Sequence, residues 1–147
     1  KTLGLVDNQL SVIICYISIN LPFATWMLKG FFDDISIDIE EAAFIDGLGP
    51  AQSFLKIVLP LSLPGIATVA IFTFNNCWNE YMLASVFLRS NELQTMTIGL
   101  QMFQVQNNAD WSTMMAASTI ALIPSLIFLL FMQKYMVQGL TAGAVKG

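Results

Sequence analysis

Residues 57–79 read IVLPLSLPGIATVAIFTFNNCWN, 23 consecutive positions without a charged side chain. A helix needs about 20 apolar residues to cross the roughly 30 Å of hydrocarbon in a bilayer, and this run is long enough. Beyond Glu80 the apolar character resumes as far as Arg89. Two more runs flank it, 21 uncharged residues between Asp7 and Lys29 and 23 between Asp110 and Lys134. Three such runs in 147 residues leave too little polar surface to cover them in water. Charged residues make up 11% of the chain, against about 25% in soluble domains, and the mean hydropathy is +0.68. The expected fold class is all-α, a polytopic transmembrane helix bundle, with spans at about 9–29, 62–88 and 113–134.

The composition also excludes several functions. Six Lys and Arg residues and a net charge of −4 leave no basic surface for nucleic acid. The chain has no His, and Cys15 and Cys77 lie far apart in apolar runs, so neither a zinc cluster nor a disulfide framework is indicated. The Met residues, among them Met96, Met102, Met114 and Met115, suit flexible packing, and no metal site is expected. Glu80 is the only acid inside an expected span and has no partner base, so a membrane enzyme is disfavoured. No basic stretch ahead of a short apolar core marks a signal peptide.

Orientation follows from Lys and Arg. With three spans, the loop at about 30–61 and the tail 135–147 share a side that holds Lys29, Lys56, Lys134 and Lys146. The other side, with the segment at about 90–112, holds Lys1 and Arg89. The loop and tail are therefore expected in the cytoplasm and the 90–112 segment outside. That outer segment carries Gln94, Gln101, Gln104, Gln106, Asn107 and Asn108. It is too polar to span, and is expected as a short interfacial helix with Trp111 near headgroup level.

The cytoplasmic loop has its own signals. Ser36 suits an N-cap. Asp38, Glu40 and Glu41 then fall near the positive end of a helix dipole. Gly47 suits the position after a helix end, and Pro50 can open a second helix. The spacing predicts helices at about 37–46 and 51–59 around a Gly-Leu-Gly-Pro corner. Ala42 and Ala43 would let another protein approach the backbone closely. A simple connector between two spans would fit the same residues.

This loop resembles the EAA motif of ABC-importer permeases. Glu41-Ala42-Ala43 is followed by Asp46-Gly47 and then by Ile57, Leu59 and Pro60 at the motif's spacing. Leu21-Pro22-Phe23 with Trp26, Trp78-Asn79-Glu80-Tyr81, and Gln133-Lys134-Tyr135 followed by Gly139 to Gly147 are similar to the carbohydrate, maltose-permease-like branch. Ser36 departs from the Pro that relatives often carry there, and both residues start helices. The resemblance implies a permease subunit with about six spans, of which this chain corresponds to the C-terminal half. It also implies a second permease subunit, two ATPase subunits that use ATP and Mg, and an extracytoplasmic substrate-binding protein that delivers a sugar. The EAA loop would couple the ATPases to the spans. The chain itself would bind no cofactor and perform no chemistry. An ABC permease for another solute, such as glycerol phosphate, is the alternative, and a plain channel or structural membrane subunit is a more distant one.

In the second run, Asn75, Asn76, Asn79 and Glu80 form two i,i+4 pairs, so all four are expected on one helical face. Polar groups at membrane depth usually face a bundle interior or a wet cavity. They are candidates for a translocation path or gate. Interhelical glue is the structural alternative, with Asn20 or another helix as the partner for Glu80. Pro22 and Pro124 can loosen the backbone ladder of their spans and are expected as tolerated kinks more than as hinges.

Overall fold

A computed structural model describes residues 5–106 and 111–143. The Asn107, Asn108, Lys1 and Lys146 expectations lie outside these residues. Among the described residues the chain is all-α and contains no strand. The elements are α1 (Gln9–Asp33), α2 (Ile37–Ile45), α3 (Pro50–Ser53), a π turn (Phe54–Val58), α4 (Leu59–Leu61), α5 (Leu63–Asn79), α6 (Met82–Phe87), a 3-10 turn (Asn91–Leu93), α7 (Met96–Gln106) and α8 (Trp111–Gly143). Two stretches, Gln9–Asp33 and Trp111–Met136, are long and apolar enough to cross a membrane. Pro50–Leu61 and Leu63–Asn79 together make a third candidate, bent by 67° at the break between them.

Several boundaries differ from the sequence expectation. Helix α1 runs on to Asp33 instead of stopping near residue 29, and Lys29 pairs with Asp33 one turn on, a spacing that supports a helix. Helix α8 runs to Gly143, while its apolar span ends at Met136, so residues 137–143 of the expected tail continue the same helix. Gly139 there costs only about 1 kcal/mol relative to Ala. Pro22 and Pro124 sit inside helices without interrupting them. The largest difference is the second run: 62–88 is not one helix. It bends at Ser62, where the Ser62 hydroxyl donates to the Val58 carbonyl at 2.8 Å, and it breaks again at Glu80 and Tyr81 between α5 and α6.

The chain forms two compact units. One takes in residues up to Leu21 and from Thr73 to Leu129. Its apolar centre is Val12, Ala84, Leu88 and Ile98, with Tyr16, Phe87, Leu93 and Met102 packed around them. Asp7 closes this unit. Its carboxylate accepts the Arg89 N–H at 2.8 Å, the Ser90 N–H at 2.9 Å and the Ser90 hydroxyl. Asp7 takes a φ of 57°, a left-handed conformation that Asp tolerates better than most residues.

The other unit holds Pro22 to Phe72 and the residues from Leu130 on. Here α1 packs on α5 through Phe31 and Gly65, with Phe23 edge-on to Phe72 at 6.2 Å. The ring of Phe32 lies 6.1 Å from that of Phe54 in the π turn.

Candidate functional site

The EAA loop is built by local signals. Ser36 caps α2, its hydroxyl accepting the Asp38 N–H at 3.3 Å. Asp38 and Glu40 lie in the first turn, as the helix dipole favours. At the far end the Leu48 N–H donates to the Ala43 carbonyl and the Gly47 N–H to the Phe44 carbonyl, both at 3.0 Å. Those two bonds make a Schellman motif, and Gly47 takes a φ of +81°. Pro50 then occupies the first turn of α3, after Gly49.

The second half of the loop departs from the expected helix at 51–59. It is α3, a π turn and α4 in succession. The Leu59 N–H reaches back to the Phe54 carbonyl, one residue further than in an α-helix. Pro60 follows directly. Its ring clashes with the carbonyl four residues back in a regular helix, and a widened turn relieves that crowding.

Helix α2 packs on α3 and the π turn, and Ala43, Ser53 and Val58 are the buried residues of the loop. Ala43, expected as a place of close approach, is therefore packed inside the chain, while Ala42 is exposed. The exposed stripe of α2 is Ile37, Glu41 and Ile45, spaced by four, with Ile45 86% exposed. Ala42, Asp46 and Gly47 are exposed beside it; Ile57 and Leu59 are half-buried, and Pro60 is exposed. A carboxylate flanked by two bare isoleucines is a surface suited to another protein.

The four polar residues of the second run do not share one face. Asn75 and Asn79 line a cavity of about 370 Å³ with Trp78, Thr97, Ser118 and Ser125. The Asn79 amide donates to the Asn75 carbonyl and side-chain oxygen, each at 2.8 Å. Trp78 is fixed by its Nε1–H, which donates to the Ala121 carbonyl at 3.2 Å. Stacking of Phe74 on Trp78 and on Phe128 holds the same wall. Asn76 and Glu80 bond instead to α1. Asn76 donates to Asn20 Oδ1 at 3.3 Å, and Glu80 accepts the Tyr16 hydroxyl at 2.9 Å. Successive helical residues are about 100° apart, so the 75/79 stripe and the 76/80 stripe meet different neighbours.

Of the partners expected for Glu80, Asn20 or another helix, Asn20 bonds Asn76 and the Cys77 sulfur instead, and the Glu80 partner is Tyr16. The sequence reading gives no site role to Tyr16, Thr97 or Ser118, and marks Ser125 only as a neighbour of Pro124. A signal for Tyr16 was present: Tyr16 and Asn20 are themselves an i,i+4 pair, matching Glu80 and Asn76 across antiparallel helices. Ser118 and Ser125 carried no comparable signal. Among the described residues no group of three or more His, Cys, Asp or Glu side chains could hold a metal ion.

A family model described as "Binding-protein-dependent transport system inner membrane component" matches residues 3–142. The chain is 39% identical to the inner membrane ABC transporter permease protein YcjP of Escherichia coli, over 99% of this chain and 52% of that protein. It is 38% identical to the trehalose/maltose transport system permease protein MalG of Thermococcus litoralis, over 100% of this chain and 53% of that one. It is 37% identical to the diacetylchitobiose uptake system permease protein DasC of Streptomyces coelicolor, over 98% and 52%. The chain thus spans about half the length of these curated relatives.

Proposed function

The chain belongs to the family of binding-protein-dependent transport system inner membrane components, and from that premise we propose that it forms part of the permease of an ATP-driven sugar importer. The family is one of multi-pass inner-membrane subunits that are not themselves catalytic. In this proposal two ATPase subunits hold and hydrolyse ATP with Mg, and the chain binds neither. A second permease subunit completes the path, and an extracytoplasmic binding protein supplies the sugar.

The observation that carries the proposal is the EAA loop. A Schellman corner at Gly47 fixes α2, and α2 presents Ile37, Glu41 and Ile45 outward. That stripe would seat in a groove on an ATPase subunit from the cytoplasmic side. Motion of the ATPases would then pass through α3, the π turn and the 67° bend at Ser62 into α5. A neutral solute is supported by the cavity wall at Asn75, Trp78, Asn79, Thr97, Ser118 and Ser125, none of them charged. Amide and hydroxyl groups beside an indole suit sugar hydroxyls and an apolar sugar face. Two of the relatives carry trehalose/maltose and diacetylchitobiose in their names, which supports a sugar here.

The test uses the full-length subunit with its transporter partners. Glu41→Lys and Ile45→Asp should stay in the membrane, lose the co-purifying ATPase and lose sugar uptake. Normal uptake in both variants would refute the coupling role of the loop.

A further inference from the structure

The break between α5 and α6 is not caused by a helix-breaking residue. No Gly or Pro occurs between Gly65 and Leu88, and sharp kinks normally have such a local cause. A local cap by the Glu80 side chain and two tertiary hydrogen bonds take that place. In a continuous helix the N–H groups of Leu83 and Ala84 would donate to the carbonyls of Asn79 and Glu80. Here both donate to the Glu80 carboxylate, Leu83 to Oε1 at 2.7 Å and Ala84 to Oε2 at 3.1 Å. The Glu80 carbonyl, released from that ladder, accepts the Thr97 hydroxyl of α7 at 2.8 Å. Oε2 also accepts the Tyr16 hydroxyl of α1 at 2.9 Å.

We propose that residues 79–84 form a two-state helix break, in which the Glu80 carboxylate and the backbone carbonyls of Asn79 and Glu80 compete for the same two N–H donors, and that Tyr16 and Thr97 are the positioning residues that hold it broken. Both states satisfy the Leu83 and Ala84 donors, so neither leaves an orphaned backbone group. What separates them is the pair of hydroxyl bonds. Straightening returns the Glu80 carbonyl to Ala84 and takes its acceptor from Thr97. It also draws the carboxylate away from the helix end where Tyr16 meets it. Ala84 and Leu88 are buried against Val12 and Ile98, so the two states differ in how α6 packs on α1 and α7.

The test places spin labels at Phe72 and Val86, both more than half exposed. The full-length subunit, with Cys15→Ala and Cys77→Ser, is studied in its assembled transporter in lipid nanodiscs. Along a straight helix at about 1.5 Å per residue the two positions lie about 21 Å apart. The unmodified Tyr16 and Thr97 protein should show mainly a shorter distance. Tyr16→Phe and Thr97→Val each remove one hydroxyl, and each should move the population ratio about threefold toward the straight form, as loss of an average intramembrane hydrogen bond implies. The double variant should move it further. One distance that neither variant shifts overturns the proposal. So does a fall in complex yield with the distance distribution unchanged, because that is the behaviour of structural glue.

Discussion

Gly65 lies under the ring of Phe31, so close that a Cβ on the glycine would stand 2.3 Å from Phe31 Cγ. A contact that short cannot exist, so any side chain at 65 must displace the ring or part α1 from α5. Gly65→Ala should therefore cost about 1–3 kcal/mol, the usual range for overpacking. Thermal unfolding of the purified complex reads the loss. Phe31→Leu in the same chain should recover part of it, and strictly additive effects of the two changes would contradict the contact.

Gly47 presents the opposite case. A Cβ there meets nothing within 4 Å, yet its φ is +81°. The cost of substitution is backbone strain alone, about 1–2 kcal/mol for an ordinary L-residue. Gly47→Asn should be tolerated, since Asn enters this region more readily. Gly47→Ala should loosen the corner and lower both ATPase co-purification and uptake. Equal behaviour of the Ala and Asn variants would show that the corner's conformation is not what matters.

Asp7 makes stability depend on pH. Hydrogen bonds from the Ser90 side chain, the Ser90 N–H and the Arg89 N–H hold its carboxyl below the ordinary value of 3.8. The folded form thus favours the ionised carboxylate. The stabilisation is complete above the unfolded pKa and is lost as pH falls through the lower folded one. Asp7→Asn should remove that part of the acid sensitivity. The measurement is the unfolding midpoint from neutral pH down to about pH 3, a range that reaches below the reference carboxylate value. Parallel curves for the two proteins would refute the linkage.

Much of this was legible in the sequence because its causes are local. Ser36, Gly47 and Pro50 each act within one turn, and the structure places an N-cap, a Schellman corner and a helix start at these positions. The uncharged runs required only counting. What was not legible depends on partners distant in sequence. The break after Asn79 needs Tyr16 and Thr97, residues 64 and 17 positions from Glu80. Ala43 looked free because the packing of α2 on α3 and the π turn cannot be read from Glu-Ala-Ala. The π turn itself was signalled by Pro60, but Pro60 also fits an ordinary helix end.

Topology offers a separate check. Cysteines placed at Gly49 and Glu92, both exposed, should react with an impermeant thiol reagent from opposite faces of the membrane. Position 49 should label only from the cytoplasm and position 92 only from outside, in a Cys15→Ala, Cys77→Ser background. The reverse pattern would remove the loop from any ATPase.

The two asparagine stripes should separate by phenotype. Asn75 and Asn79 face the cavity beside Trp78, whereas Asn76 is tied to Asn20 on α1. If the cavity belongs to the path of a sugar, Asn79→Ala removes an amide from its wall and takes no bond from another helix, since its own bonds run to Asn75. Complex yield should stay near normal while uptake falls and the apparent KM for the sugar rises. Asn76→Ala should do the reverse. It loses a bond between helices worth about 0.6 kcal/mol on average, which lowers thermal stability slightly and leaves the KM unchanged. Both variants are measured on the same membranes, by yield, unfolding midpoint and uptake. A raised KM in Asn76→Ala with an unchanged KM in Asn79→Ala would move the path to the α1 side of α5, where Tyr16, Asn20 and Glu80 stand.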